Sequence, residues 1–124
     1  MQIFMIFLGG GLGSILRYLT QTFFNKNFAY AYPWGTFCVN VLGCLFLGFL
    51  FGVTMSKVHW FEDSTKLFFT VGLMGGFTTF STFGLESVNM FEKGQMESGF
   101  IYIASSIVLG IAAVYAGMQL AKYV

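Results

Sequence analysis

The sequence predicts an all-α integral membrane protein with four transmembrane helices. Of its 124 residues, 56% are hydrophobic and only 9% are charged, whereas a soluble domain carries about a quarter charged residues. A helix that crosses a bilayer needs roughly 20 apolar residues, so the chain has room for four crossings joined by short loops. The net charge of +1 argues against a nucleic-acid partner. We expect one transmembrane domain, residues 1–124.

Four apolar runs, separated by polar or charged segments, give the positions of these helices. They are predicted at residues 3–24, 33–54, 65–91 and 100–123. Pro33 suits the start of the second helix, because the N–H that proline lacks would be unpaired there. The segment between the second and third helices contains Lys57, His59 and Trp60, so we expect a loop exposed to water.

The first helix combines small residues with one basic residue, which lies well inside the predicted helix. Gly9 and Gly13, and likewise Gly10 and Ser14, form small-xxx-small pairs that allow another helix to approach closely. Arg17 is the only basic residue well inside a predicted helix. It either extends to the membrane interface or attracts an anion at the mouth of a pore, and the sequence leaves both open.

The second helix has a residue that is either small or polar at every fourth position. These residues form one stripe: Thr36, Asn40, Cys44, Gly48 and Gly52. Asn40 is the costly member, because its amide needs hydrogen-bond partners inside the membrane. It either joins this helix to a neighbour or faces an ion pathway as a donor.

The third helix is long for one crossing, and its middle is unusual. The segment 72–86 holds four glycines, four hydroxyl residues, three phenylalanines and a terminal carboxyl group. Because Gly75-Gly76 can leave helical dihedrals at low cost, we predict that this helix is broken near Gly75-Thr78. Broken backbone is tolerated in a membrane only when it is buried in protein or lines a wet cavity. The alternative is a kinked helix whose hydroxyls bond to its own carbonyls.

Several side chains in the predicted helices can donate hydrogen bonds to an anion. Phe80 and Phe83 are three residues apart and therefore lie side by side, with electropositive ring edges. Neutral donors bind an anion without holding it as tightly as a fixed cation would. The candidates are Asn40, Thr79, Ser81, Thr82, Tyr102 and Ser106. Further along the face of Tyr102 and Ser106, Gly110, Ala113 and Gly117 favour close packing.

Basic residues are divided almost evenly between the two sides of the membrane. Four crossings put both termini on the side of the loop near residues 55–64, with Lys57, Lys66 and Lys122. The other side has Lys26 and Lys93, and also Arg17 if its side chain extends outward. The positive-inside rule therefore barely favours one orientation. Two opposite copies could form an antiparallel homodimer, since four short helices offer little material to enclose a pore alone.

Three motifs in this order resemble the fluoride channel family, called Fluc or CrcB. They cover nearly the whole chain: residues 9–18 (GGGLGSILRY), 33–43 (PWGTFCVNVLG) and 75–83 (GGFTTFSTF). The third motif is the most specific. One departure is Gly110, which stands where another small hydroxyl residue would be expected one turn after Ser106.

The resemblance implies a passive fluoride channel in the cytoplasmic (inner) membrane. It implies an antiparallel homodimer with two separate pores, each built from both subunits. Phe80 and Phe83 would line the pathway, Asn40 would face it, and Arg17 would lie near a vestibule. A structural Na⁺ would be held at the dimer interface by backbone carbonyls of Gly75 and Thr78.

Two other functions are compatible with four small membrane helices. A dual-topology, proton-coupled multidrug transporter needs a carboxylate deep in a helix, and Glu86 is the only acidic candidate in the predicted helices. A non-transporting assembly subunit would use all the polar stripes for helix contacts. An enzyme is the least favoured, because the sequence has no nucleophile–base arrangement and no phosphate-binding loop.

Overall fold

The computed structural model describes residues 1–28, 31–55 and 62–124. Within these ranges, four helices are long and apolar enough to cross a membrane, which confirms the predicted number. We call them the first to fourth spans: Gln2–Asn27, Trp34–Met55, Asp63–Glu92 and Met96–Tyr123. The last three residues of the fourth span, Ala121–Tyr123, form a 3₁₀ turn. The predicted loop residues Lys57, His59 and Trp60 lie outside the described residues.

Glycines allow the spans to pack in two close pairs. A Cβ atom on Gly13 would overlap the backbone of the third span, so the first span lies directly against it. The predicted Gly9–Gly13 interface is therefore confirmed. In the second pair, a Cβ atom on Gly48 would overlap the carbonyl oxygen of Val114, and one on Gly117 would overlap the carbonyl oxygen of Leu45. Most large apolar side chains are exposed in the single subunit, as expected for surfaces that face lipid.

The third span is interrupted at the end of the predicted segment and not at the two glycines themselves. It contains an α-helical turn Asp63–Leu67, a π-helical stretch Phe68–Met74 and a short α-helical piece Gly75–Phe77. Thr78 and Thr79 are then extended, with ψ angles of 159° and 114°, before the α-helix Phe80–Glu92 begins. The break thus occurs at the Thr78 end of the predicted segment Gly75–Thr78 and confirms that prediction, although Gly75 and Gly76 themselves remain helical.

Gly75 and Gly76 have a different role from the predicted one, because neither leaves the helix. Gly75 keeps helical angles, with φ −62° and ψ −38°. Gly76 lies against the first span so closely that a Cβ atom would overlap the carbonyl oxygen of Gly10. Its small size is therefore used for packing. The chain leaves the helix only where Thr79 can begin a new one with its own hydroxyl group.

The end of the third span is set by Gly94, which has a φ of +74°. The N–H of Gln95 donates to the carbonyl of Met90, and the N–H of Gly94 donates to that of Phe91. These two bonds form a Schellman motif, in which glycine at the left-handed position ends a helix. The turn returns the chain directly into the fourth span.

Candidate functional site

A groove of about 280 Å³ lies beside the break in the third span. It is formed by the second, third and fourth spans and is open along one side of the subunit. Its lining residues are Asn40, Cys44, Leu47, Thr78, Thr79, Phe80, Phe83, Ser106 and Ile107. Five of the residues predicted to face an ion pathway are thus gathered around one cavity: Asn40, Thr79, Phe80, Phe83 and Ser106.

Asn40 binds the broken backbone through both ends of its amide. Its Nδ2 donates to the carbonyl oxygen of Thr79 at 2.9 Å, and the N–H of Thr79 donates to its Oδ1 at 2.8 Å. In an unbroken helix that N–H would pair with the carbonyl of Gly75. Asn40 therefore joins the second span to the third, which is one of the two roles that the sequence left open, and the same residue also lines the groove.

Thr79 is the residue on which the second half of the third span begins. It is buried, with 5% of its surface exposed, and its Oγ1 accepts a hydrogen bond from the N–H of Thr82 at 3.3 Å. The same hydroxyl donates to Oγ1 of Thr82 at 2.9 Å. Thr79 therefore acts as a helix N-cap. Ser81 and Thr82, which were also predicted to face the pathway, are not among the residues that line the groove.

Phe80 and Phe83 lie side by side, as their spacing predicts. Their ring centroids are 5.7 Å apart. Phe83 also contacts Tyr102, at 5.2 Å between ring centroids. Phe80 is 83% exposed, so in the single subunit its ring covers little of the protein. The two rings form one edge of the groove.

Ser106 presents a hydroxyl group whose oxygen is buried and has no hydrogen-bond partner within the described residues. Buried hydroxyls in proteins are usually paired, so this one has the capacity to bind a ligand or water. Tyr102, one turn earlier on the fourth span, behaves differently. It is completely buried, its O–H donates to Oε2 of Glu86 at 2.8 Å, and it is not among the residues that line the groove.

Arg17 is directed toward the break in the third span. Its Nη1 donates to the carbonyl oxygen of Thr78 at 3.3 Å. Arg17 is half-buried and is not among the residues that line the groove. Together with Asn40, it supplies hydrogen bonds to the part of the third span that lacks helical partners.

A second polar cluster surrounds the carboxyl group of Glu86. Thr36 Oγ1 donates to Glu86 Oε1 at 2.9 Å, on the side opposite the bond from Tyr102. Gln21 Nε2 in turn donates to Thr36 Oγ1 at 3.1 Å. Four side chains, one from each span, therefore form a connected network. A separate cavity of about 280 Å³ lies at its outer side, lined by Glu86, Asn89 and Lys93 among others.

The sequence left the roles of Gln21, Thr36 and Glu86 unassigned, although part of the signal was present. Thr36 belongs to the predicted stripe, and Glu86 lies at helical spacing from Thr79 and Thr82. Gln21 is one turn after Arg17 on the first span, so the two share a face. What the sequence lacked was the relative height of the four spans, which brings these groups together.

The chain matches the family model described as "CrcB-like protein, Camphor Resistance (CrcB)" over residues 4–118. Three similar proteins carry the name "Fluoride-specific ion channel FluC". The protein from Phocaeicola vulgatus is 44% identical over 121 residues, which cover 98% of each chain. The one from Flavobacterium psychrophilum is 42% identical over 120 residues, covering 97% of this chain and 96% of its own. The Bacteroides fragilis protein is 42% identical over 124 residues, covering 98% and 96% respectively.

Proposed function

The chain belongs to the CrcB-like family, and we propose that it is a fluoride-selective ion channel that allows passive export of fluoride across the cytoplasmic membrane. It is a multi-pass membrane protein of a channel family and not an enzyme. The observation that carries the proposal is the groove. It gathers neutral donors and aromatic edges beside one buried hydroxyl group, that of Ser106, which has no partner in the described chain.

The chemistry of the groove suits a small, strongly hydrated anion. Such an ion must regain hydrogen bonds when it leaves water, and hydroxyl and amide groups can donate them. The edges of Phe80 and Phe83 are electropositive because of the ring quadrupole. No cationic side chain is among the groove's lining residues, so the ion can also be released, as conduction requires.

We further propose that the working unit is an antiparallel homodimer with two pores. The groove is open along one side, and Phe80 is exposed there, so a second copy is needed to close the pathway. Arg17 donates to the break, which removes it from the count of loop charges. The remaining basic residues are still divided almost evenly between the two sides of the membrane. One of them, Lys57, lies outside the described residues.

Reporter tags on the C-terminus test this topology. We expect tags on both sides of the same membrane, and two lysines added within residues 25–32 should bias insertion and lower activity. A single uniform orientation of the unmodified chain would rule out the antiparallel dimer.

A structural Na⁺ between the two third spans is part of the proposal. The backbone carbonyl oxygens of Gly75 and Thr78 would be its ligands. Thr79 donates its N–H to Asn40, so the Gly75 carbonyl loses the partner it would have in a continuous helix, and Gly75 is exposed. The Thr78 carbonyl accepts a bond from Arg17 but has a second lone pair. Both oxygens therefore suit a hard cation.

Prolonged removal of Na⁺ tests this part separately. Since a bound cation would stabilise backbone that is otherwise unpaired, replacement of Na⁺ by a bulky organic cation should slowly reduce both fluoride flux and dimer stability. Thr78→Ala should keep the site, because only its carbonyl is used. Full activity in protein shown to contain no cation would refute the Na⁺ site.

Fluoride efflux from proteoliposomes tests the proposed function itself. The purified chain should release fluoride without any pH gradient and should leave chloride, loaded in parallel, inside. A proton-coupled transporter would release little fluoride under these conditions, and an assembly subunit would release none. Either result with folded protein would contradict the proposal that the chain is a fluoride channel.

A further inference from the structure

Cys44 lines the groove, but the proposed function described above gives it no role. It belongs to the stripe of the second span and lines the same cavity as Phe83 and Ser106. Gly110, one turn after Ser106 on the fourth span, packs against Cys44 but is not among the residues that line the groove. A Cβ atom on Gly110 would lie 3.6 Å from Cys44 Sγ and would meet nothing else within 4 Å.

Because Gly110 has no side chain, the Cys44 sulfur is the side-chain atom nearest to the Cβ position of Gly110. Ser106, one turn before Gly110, has its hydroxyl oxygen buried and without a partner within the described residues. A hydroxyl from the fourth span and a thiol from the second span thus both line the groove. The thiol is larger and more polarizable than a hydroxyl and is a weaker hydrogen-bond donor.

We propose that Cys44 is a wall residue of the ion pathway, and that its thiol helps to set the width of the pathway beside Phe83 and Ser106. This inference rests on the proposed function, because it takes the groove to be the route of fluoride. It predicts that a small group attached to Cys44 Sγ will close the route.

The chain contains a matched internal control. Cys38 lies on the same helix, six residues earlier, which places it about 120° away around the helix axis. Both cysteines are free thiols with intermediate exposure, but only Cys44 lines the groove. Cys38→Ala and Cys44→Ala therefore give two proteins that each retain one thiol on the second span.

Methyl methanethiosulfonate is a suitable probe because it is small and uncharged. The thiolate attacks the methylthio sulfur, forming a disulfide, and methanesulfinate leaves with the electron pair of the broken sulfur–sulfur bond. The thiol proton passes to the buffer. The product carries one methylthio group on the cysteine, and dithiothreitol removes it.

The experiment measures fluoride efflux and the intact mass of both variants before and after the reagent. In Cys38→Ala, labelling should lower fluoride efflux by about tenfold or more, as expected for an obstructed pathway, and dithiothreitol should restore it. In Cys44→Ala, labelling of Cys38 should leave efflux within about twofold of the untreated rate, since that side chain lies off the pathway.

Two results would overturn the inference while leaving the channel intact. One is unchanged efflux from Cys38→Ala in which mass confirms a methylthio group on Cys44. The other is a Cys44 that stays unlabelled in conducting dimers after long exposure. If neither unlabelled variant nor the unmodified chain passes fluoride, the proposed function itself fails and this inference fails with it.

Discussion

Two halves of the same helical stripe on the second span have different partners. In the polar half, Thr36 donates to Glu86, and Asn40 pairs with the backbone of Thr79. In the glycine half, formed by Gly48 and Gly52, the helix lies directly against the backbone of the fourth span. One sequence period of four residues runs through both halves. The difference teaches that periodicity identifies the face of a helix, while the neighbouring span decides whether that face leaves a cavity or closes.

Asn40→Ala should cause the largest loss of stability, because it removes a hydrogen-bond partner from both backbone groups of the buried Thr79. The N–H and carbonyl of Thr79 would each lose a hydrogen bond, at a cost of about 1–3 kcal/mol per group. Thermal unfolding of the purified protein in detergent measures the loss. Asn89→Ala, at an exposed asparagine of the third span, is the control. Equal stability of the two variants would show that the break does not depend on Asn40.

Gly48→Ala should come second and tests the glycine half. Its new Cβ atom would overlap the Val114 carbonyl, and overpacking of this kind costs about 1–3 kcal/mol. Gly110→Ala is the matched control, because the same substitution there meets only Cys44 Sγ, at 3.6 Å. We expect less folded Gly48→Ala protein but little change for Gly110→Ala. The opposite ranking would mean that the second and fourth spans do not pack as described.

Phe80→Ile and Phe83→Ile should affect function more than stability. Phe80 is largely exposed in the subunit, so its replacement should change stability by less than about 1 kcal/mol. Each variant should nevertheless reduce fluoride flux more than it reduces dimer assembly, because the electropositive ring edge is lost. Flux at the unmodified level in folded dimers of both variants would make these rings packing residues only.

Much of the fold could be predicted from the sequence, because membrane helices are recognised by their length and composition. The four spans, the Gly9–Gly13 interface and the pairing of Phe80 with Phe83 all depend on local periodicity. The region of the break also followed, but its exact residues did not. Gly75 and Gly76 have the conformational freedom to leave a helix, but Gly76 is needed against Gly10, and the break moved to Thr79, which can cap the next helix.

The site was predictable only in part, for a related reason. Residue type correctly indicated that Asn40 needs partners and that Ser106 has a hydroxyl on the groove side. It could not show that Asn40 pairs with the broken backbone, that Arg17 turns to Thr78, or that Glu86 binds Thr36 and Tyr102. Such pairings depend on how far each span is shifted along its neighbour, and that shift is set by packing.

Ser106→Ala tests most directly whether the groove is the route of fluoride. The hydroxyl has no partner within the described chain, so its removal breaks no known bond, and the free energy of unfolding should stay within about 0.5 kcal/mol of the unmodified value. Fluoride efflux per folded dimer should fall about fivefold, as expected for the loss of one hydrogen bond of ~1 kcal/mol to the ion. Unchanged efflux from stable Ser106→Ala dimers would contradict the account, because the groove's one unpaired buried hydroxyl would then have no part in conduction.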